Sequence, residues 1–299
     1  MTYTEVGAWS DIDPPRGSVV IGYNGREHSS VALRWAADEA VRRDVPLVVL
    51  FAANYPGMTV EPGTGLYQRE PGALEAAQEV TARGVAEALE RHPELDVLGA
   101  TEVASPTKAL VEAGEHAAVV VLGSRGYGRV VGALLGSVAF AVAPRAACPV
   151  IVIREPDLDR EAGPEHPIVV GTDGSEPAGV AVDYAARRAA GTRAALQLVT
   201  CTGGHQVPHI EEEALRGPAT RIVEAEAERV RAAYPELTVT TRVEDCPAEV
   251  TLVEASRTAG MVVVGTRGRG GFEGLLLGSV SHAVIHGAAC AVAVVGERA

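Results

Sequence analysis

Residues 123–137 read GSRGYGRVVGALLGS, and residues 265–279, which begin 142 positions later, read GTRGRGGFEGLLLGS. Both stretches space their glycines as Gly-x2-Gly-x9-Gly-Ser. Each follows a short apolar run, residues 119–122 or 261–264, of the kind that forms a buried parallel strand. We therefore expect the chain to contain two copies of one strand–loop–helix arrangement.

The glycine loops have the features of an anion-binding site. Glycine costs backbone entropy, and close approach of N–H groups to a ligand is one reason to keep several together. A helix starting at Ser137 or Ser279 would direct unpaired N–H groups and its positive dipole end toward the loop, and both serines suit the N-cap position. Neither loop contains the Gly-Lys-Ser/Thr of a Walker A motif. The pattern predicts a phosphate-binding cradle in each copy.

Apolar runs alternate with amphipathic segments along the chain, which is typical of an α/β fold with a doubly wound parallel sheet. Residues 154–167 are charged and rich in proline, so we interpret them as a linker between domains at residues 1–156 and 167–299. The polar residues before Arg16 are expected to form a loose arm.

The composition of the chain limits the classes of binding partner and the cellular compartment that we expect. The chain of 299 residues has a formal net charge of −13, which disfavours nucleic acid and anionic membrane surfaces as partners. No apolar run approaches the ~20 residues needed to span a bilayer. The four cysteines form no Cys-x-x-Cys pair and no disulfide framework, which favours a reducing, cytoplasmic location.

The glycine spacing resembles the ATP-binding signature of the universal stress protein family, and the resemblance covers nearly the whole chain twice. It implies two tandem Rossmann-like domains of the adenine nucleotide alpha hydrolase-like type. Each would have a five-stranded parallel sheet in the order 3-2-1-4-5, with ATP lying across the crevice. It also implies a regulatory role in stress or dormancy. Because the last strands of such domains mediate dimers, the resemblance further implies that the two halves pair with each other through residues 149–153 and 290–295, and that chains pair again as a homodimer.

In that family an aspartate closes the first strand and contacts the nucleotide. Asp173 matches it, whereas Asn24 stands in the first repeat and cannot hold Mg²⁺ as a carboxylate can. We expect ATP sites in both repeats and assign Mg²⁺ to Asp173. The candidate binding residues are Gly22, Asn24, Ala53, Gly123, Arg125, Gly126, Gly136, Ser137 and Val138 in the first repeat, and Gly171, Asp173, Cys201, Gly265, Arg267, Gly268, Gly278, Ser279 and Val280 in the second.

The sequence favours a binding protein over an enzyme, because it contains a phosphate cradle but no recognisable catalytic triad or nucleophile elbow. A slow ATPase, another nucleotide-processing enzyme and a cyclic AMP binder remain alternatives. His205 and His209 have the spacing of a metal pair, but Pro208 interrupts their helix and a surface loop is the better interpretation. His282 and His286 do not recur in the first repeat, and neither is expected to act as a catalytic base.

Overall fold

The computed structural model describes residues 6–8, 15–53, 72–102, 104–124, 136–154, 161–203, 209–268 and 277–297. These residues separate into two compact units, one ending at Val142 and the other beginning at Ala143. The bounds of the two domains inferred from the sequence stay a prediction. Within the described ranges, no helix combines the length and the apolar character needed to cross a membrane.

The first unit is an α/β layer structure with a parallel sheet in the order β1-β4-β3-β2-β5. The strands β4-β3-β2-β5 reproduce the 3-2-1-4 part of the expected order. Its elements are β1 (Val6–Ala8), β2 (Val19–Gly22), α1 (Glu27–Arg43), β3 (Leu47–Ala52), α2 (Ala73–Arg91), β4 (Val97–Glu102), α3 (Pro106–Ala113), β5 (Val119–Gly123) and α4 (Ser137–Val142).

The expectation of a loose arm before Arg16 is wrong for residues 6–8. These residues form β1, which pairs in parallel with β4 and places Val6 opposite Gly99. The three-residue run is too short to stand out from its polar surroundings, and its partner lies more than 90 positions away in the sequence. The pairing satisfies backbone groups at the outer edge of β4 that would otherwise be exposed.

Helices cover both faces of this sheet, which explains why its central strands are continuously apolar. Neighbouring side chains of β2 point to opposite faces, as strand geometry requires. A Cβ at Gly22 would lie 3.3 Å from the Leu110 side chain of α3. The ring of the next residue, Tyr23, packs instead against Gly84 of α2, where a Cβ would lie 2.7 Å from it. The side chains of Val19, Val20 and Ile21 are consequently buried.

The second unit repeats the arrangement and confirms the expected α/β fold and strand order. Its sheet runs β6-β11-β10-β7-β8-β9, in which β9-β8-β7-β10-β11 is the order 3-2-1-4-5. Its elements are β6 (Val150–Ile153), β7 (Ile168–Gly171), α5 (Glu176–Thr192), β8 (Leu196–Cys201), α6 (His209–Ala233), β9 (Val239–Glu244), α7 (Ala248–Ala255), β10 (Met261–Gly265), α8 (Ser279–Gly287) and β11 (Ala291–Val295).

Strand β6 is the fifth strand of the first repeat, yet it belongs to the second unit. It pairs antiparallel with β11, and Val152 lies opposite Val292. All four residues of β6 are buried, as are Val292 to Val295 of β11. The apolar character of both strands is therefore accounted for by this pairing and by the helices above it.

The segment that follows the first repeat packs against the second unit near Gly260. The Gly260 N–H donates to the Pro167 carbonyl at 2.9 Å, and a Cβ on Gly260 would lie 2.5 Å from Ala162 Cα. In the first repeat the equivalent position is Ala118, whose N–H donates to the Ser18 carbonyl at 2.8 Å. Glycine is required at 260 because backbone of residues 161–162 occupies the space of a side chain.

Candidate functional site

Each unit has a cavity at the carboxyl ends of two neighbouring strands. These are β2 and β5 in the first unit and β7 and β10 in the second. The cavity of the second unit has a volume of about 450 Å³, and that of the first about 200 Å³. They form at this position because β2 pairs with β5, and β7 with β10, in parallel, so both loops of a pair leave the sheet at one edge. Such an edge, where the strand order reverses, is the usual ligand site of an open α/β sheet.

The turn after the first strand has the same geometry in both units. Asn24 Oδ1 accepts a hydrogen bond from the Arg26 N–H at 3.1 Å, and Asp173 Oδ1 accepts one from the Ser175 N–H at 3.0 Å. The intervening glycines, Gly25 and Gly174, both have φ near 73°, a left-handed conformation that glycine adopts without strain. The two residue types therefore fulfil the same structural role, and they differ in charge.

The glycine loop of the second unit packs directly on the Asp173 carboxylate. A Cβ placed on Gly268 would lie 2.5 Å from Asp173 Oδ2, the carboxylate oxygen that is not used by the turn. Any larger residue at 268 would have to displace this carboxylate or the loop. The arrangement brings a carboxylate oxygen against the backbone of the glycine loop at Gly268.

The loop then returns to the start of α8. The Gly278 N–H donates to the Thr266 carbonyl at 2.8 Å, and the Ser281 hydroxyl donates to the Gly265 carbonyl at 2.6 Å. Gly278 is the N-cap residue, so the expectation of Ser279 at that position is off by one residue; Ser279 is the first residue of the helix. The first N–H groups of α8 have no acceptor within the helix, and Ser279, Val280 and Ser281 of its first turn line the cavity.

In the first unit the same return bond connects the Gly136 N–H to the Ser124 carbonyl at 2.8 Å. Gly123 is packed against the start of α1, because a Cβ there would lie 2.7 Å from the His28 carbonyl oxygen. Close packing within the protein thus already requires glycine at 123. Arg125 and Gly126 lie outside the described residues.

The ends of the second strands of the two repeats differ in chemistry. Cys201 lines the cavity of the second unit, and burial raises the pKa of its thiol. The ladder register pairs Gly22 with Leu50 and Gly171 with Val199, so the equivalent of Cys201 is Ala52. Ala52 lines the first cavity, whereas Ala53, the residue proposed from the sequence, lies just beyond the strand and outside the lining.

Most of the other sequence-derived candidates line these cavities. Arg267 is among them, and its guanidinium also forms an ion pair with Glu297 at 3.2 Å. The first cavity gathers Gly22, Asn24, Gly123, Gly136, Ser137 and Val138; the second gathers Gly171, Asp173, Cys201, Gly265, Arg267, Gly268, Gly278, Ser279 and Val280. Their role in binding stays a prediction.

Sequence reasoning missed the apolar wall that α3 and α7 contribute. Pro106 and Leu110 line the first cavity, and Ala248 and Leu252 line the second. Both pairs are separated by the same 142 positions as the glycine loops. Extending the repeat alignment upstream from the loops would have identified them.

Comparison with known proteins gives a consistent result. A family model described as "Universal stress protein family" matches residues 16–154 and again residues 165–296. The universal stress protein Rv2005c of Mycobacterium tuberculosis (strain H37Rv) is 36% identical over 287 residues, covering 90% of this chain and 94% of the relative. A universal stress protein of Mycolicibacterium smegmatis is 32% identical over 297 residues, covering 94% and 97%.

Among solved structures, the fold is similar to the crystal structure of a universal stress protein from Archaeoglobus fulgidus. The TM-score is 0.68 at 20% sequence identity, with 94% of this chain and 99% of that chain covered. At this identity the likeness concerns the fold alone.

Proposed function

Because the chain belongs to the universal stress protein family and carries the glycine signature in both repeats, we propose that it binds ATP in both cavities and regulates a stress response through nucleotide occupancy. One observation carries the proposal for the second unit. The Asp173 carboxylate, the Gly268 loop and the amino end of α8 converge on a single cavity. This combination suits a ligand with a polar anionic tail and an apolar head.

The size and lining of the second cavity support a nucleotide. Pockets for ligands of this size measure roughly 300–1,000 Å³, and 450 Å³ falls within that range. The apolar side chains of Val199 and Leu252 also line this cavity and suit a planar base. The loop and the start of α8 would hold the phosphates through backbone N–H groups, with the charge of Arg267 nearby.

Asp173 fits a role in holding Mg²⁺ together with the nucleotide. Mg²⁺ takes oxygen ligands, uses one or two carboxylates and keeps several waters or phosphate oxygens. Within the described ranges, no group of three or more His, Cys, Asp or Glu side chains is arranged for a metal ion. The ion would therefore obtain its other ligands from phosphates and water, and it would bind as part of a metal–nucleotide complex.

We infer a different mode of binding in the first unit. Asn24 can donate and accept hydrogen bonds but brings no negative charge for a metal ion. The carboxylate that would bind the ion in the second unit, that of Asp173, has no equivalent there. The first unit should therefore bind ATP more weakly than the second and without help from Mg²⁺.

Three further features belong to the proposal. We place the linker at residues 154–167 between domains 1–156 and 167–299. The four cysteines carry no disulfide, which supports action in the cytoplasm. The chain is proposed to form a homodimer; since β11 is paired on one side with β10 and on the other with β6, the contact would use another surface.

Calorimetry on nucleotide-free, full-length protein tests the proposal, with ATP titrated in the presence and absence of Mg²⁺. We expect two ATP molecules per chain, one of which binds more tightly with Mg²⁺. Asp173→Asn keeps the turn hydrogen bond and should remove the Mg²⁺ effect, which we estimate as about tenfold in Kd, or ~1.4 kcal/mol. The reciprocal variant Asn24→Asp should create a Mg²⁺ effect in the first unit.

The alternatives give different results in the same experiment. A flat titration with ATP and Mg²⁺ would refute the proposal. Competition with cyclic AMP distinguishes the two ligands, since a cyclic monophosphate cannot use both the loop and Mg²⁺ in the same manner. Phosphate release well above a protein-free background would instead favour a slow ATPase.

A further inference from the structure

Two histidines stand one turn apart on α8, outside the set of residues that line the cavity. His282 is exposed and His286 is half-buried, whereas Ser281, Val284 and Ile285 of the same helix are buried. The centroids of the two imidazole rings are 4.7 Å apart, and the ring planes are inclined by 34°. We propose that His282 and His286 form a two-ligand site for a borderline divalent metal ion such as Zn²⁺, Ni²⁺ or Cu²⁺.

The spacing suits chelation. Residues i and i+4 of a helix lie on one face, one above the other, which is the reason that paired histidines at this spacing bind Zn²⁺ in metalloprotease helices. Each zinc–nitrogen bond is about 2.0–2.1 Å, so two ligand nitrogens in tetrahedral geometry must lie ~3.3 Å apart. Rings whose centroids are already 4.7 Å apart can reach this separation by rotating about their side-chain bonds.

The helix that carries the pair is held at both ends. At its start, the Ser281 hydroxyl donates to the Gly265 carbonyl at 2.6 Å. At its end, the Arg154 guanidinium donates to the carbonyls of Ile285 and His286. Such bonds satisfy carbonyls that the last turn leaves without partners. The backbone therefore loses little conformational entropy when a metal ion bridges the two turns, and the entropy cost falls on the two histidine side chains.

The ligand type decides the class of metal. Imidazole nitrogen prefers Zn²⁺, Ni²⁺ and Cu²⁺, while Mg²⁺ and Ca²⁺ prefer oxygen ligands. Because the described ranges contain no cluster of three or more metal-ligating side chains, water would complete the coordination. The site would thus be open and exchangeable, and it would be separate from the Mg²⁺ proposed at Asp173.

A stacked pair of rings without metal affinity is the competing explanation, and the two differ in a direct measurement. Ni²⁺, which does not oxidise thiols, is titrated by calorimetry into untagged, nucleotide-free, full-length protein. We expect one strong Ni²⁺ site per chain. His282→Gln and His286→Gln should each weaken it by about 100-fold, because each removes half of a chelate. Zn²⁺ should raise the melting temperature of the wild type and of neither variant.

The matched control is the double variant His205→Gln/His209→Gln, which removes the other histidine pair of the same spacing. It should keep the Ni²⁺ site. Circular dichroism verifies that each variant is folded. The proposal is overturned if the wild type binds no Ni²⁺, if either single variant binds it as tightly as the wild type, or if only the control variant loses the site. The titration contains no nucleotide, so its failure leaves the proposed ATP sites untouched.

Discussion

The first helix of each unit begins with a similar backbone but a different set of side-chain bonds. In the first unit, Ser29 Oγ accepts from the N–H groups of Asn24 and Arg26 at 3.3 and 3.2 Å and donates to the Arg26 carbonyl at 2.7 Å. In the second unit the equivalent residue is alanine, and the N-cap Ser175 accepts instead from the Ala178 N–H at 3.4 Å. The turns before the two helices nevertheless share one geometry, with φ near 73° at both glycines.

The two repeats share backbone features at the cavity and differ in the side chains around them. The turn and the return bond of the glycine loop are present in both units, and both features line the cavities. The capping residue, the charge at position 24 or 173, and the residue at the end of the second strand have all changed. Side chains that support the backbone can thus be exchanged while the backbone at the cavity stays the same.

The largest expected effect is a loss of ATP affinity in the second cavity alone. Gly268→Val would place a side chain against Asp173 Oδ2, 2.5 Å from the position of Cβ, at the entrance to the loop. We expect ATP affinity of the second unit to fall by about 100-fold or more, equivalent to ~2.7 kcal/mol, while the first unit still binds. Calorimetry should show the stoichiometry falling from two to one.

Gly191→Ala is the control for that variant, since a Cβ at Gly191 would meet no atom within 4 Å. It should leave both sites intact. If Gly268→Val also retains two sites of unchanged affinity, the cavity at Asp173 is not where the nucleotide binds.

A second variant tests the close packing of the linker backbone against Gly260, a contact described for the second repeat. Gly260→Val should destabilise the protein by about 1–3 kcal/mol, because the backbone of Ala162 cannot move aside as a flexible side chain can. Urea denaturation measures the loss, and limited proteolysis should cleave residues 154–167 faster.

Ala118 is the equivalent position in the first repeat. The opposite change there, Ala118→Gly, removes a side chain and should lower the free energy of unfolding by only about 0.5–1 kcal/mol. Equal losses for the two variants, with unchanged cleavage of the linker, would show that the linker does not need the glycine.

Loss of the serine hydroxyl at the start of α1 should lower the free energy of unfolding more than the corresponding loss at the start of α5. Ser29→Ala removes three hydrogen bonds of a buried hydroxyl and should cost about 1–2 kcal/mol. Ser175→Ala removes one long bond and should cost about 0.5–1 kcal/mol. Urea denaturation of both variants gives the comparison; a larger loss for Ser175→Ala would reverse our account of which side chain caps more strongly.

The smallest effect concerns an ion cluster of the first unit, where Asp38 accepts from Arg91 Nε and Nη2 at 2.7 Å and lies 2.6 Å from His92 Nε2. Burial alone would raise the pKa of Asp38, but the hydrogen bonds from Arg91 and His92 outweigh it and hold the pKa below its ordinary value. The corresponding stability is present above the unfolded-state pKa, ~3.9, and is lost as the pH falls through the folded-state pKa.

Asp38→Asn should therefore lower the free energy of unfolding at pH 7 by no more than about 1 kcal/mol, since the Arg91 side chain is 44% exposed. The difference from wild type should disappear in acid. Asp183→Asn, which breaks an exposed pair with Arg229 in the second unit, is the control and should change stability by less than ~0.5 kcal/mol. A loss for Asp38→Asn that persists at low pH would point to packing instead of charge.

The sequence was sufficient for the architecture because the signals were repeated and local. Apolar runs such as residues 119–122 and 261–264 predict central parallel strands, and the structure has β5 and β10 there, β5 paired with β2 and β10 paired on both sides, with β7 and β11. The candidate residues of the second repeat all line one cavity.

Local sequence patterns do not specify which distant strands pair. The β1–β4 pair was therefore missed, and the β6–β11 pair was expected only from the family resemblance, which implies that the last strands of the two halves pair with each other. Strand ends carry a similar uncertainty: the register makes Ala52 and not Ala53 the equivalent of Cys201, a shift of one residue that turns a side chain to the opposite face.

The position of β6 in the second unit has a practical consequence for expressing the two repeats as separate fragments. A fragment that starts at the linker would lack residues 150–153 and would present the backbone of β11 as an open template. Such a fragment should self-associate or precipitate through that strand, and the companion fragment would end in an apolar tail without its native partner. A soluble version of the second repeat should therefore begin upstream of Val150, at the expense of the first repeat.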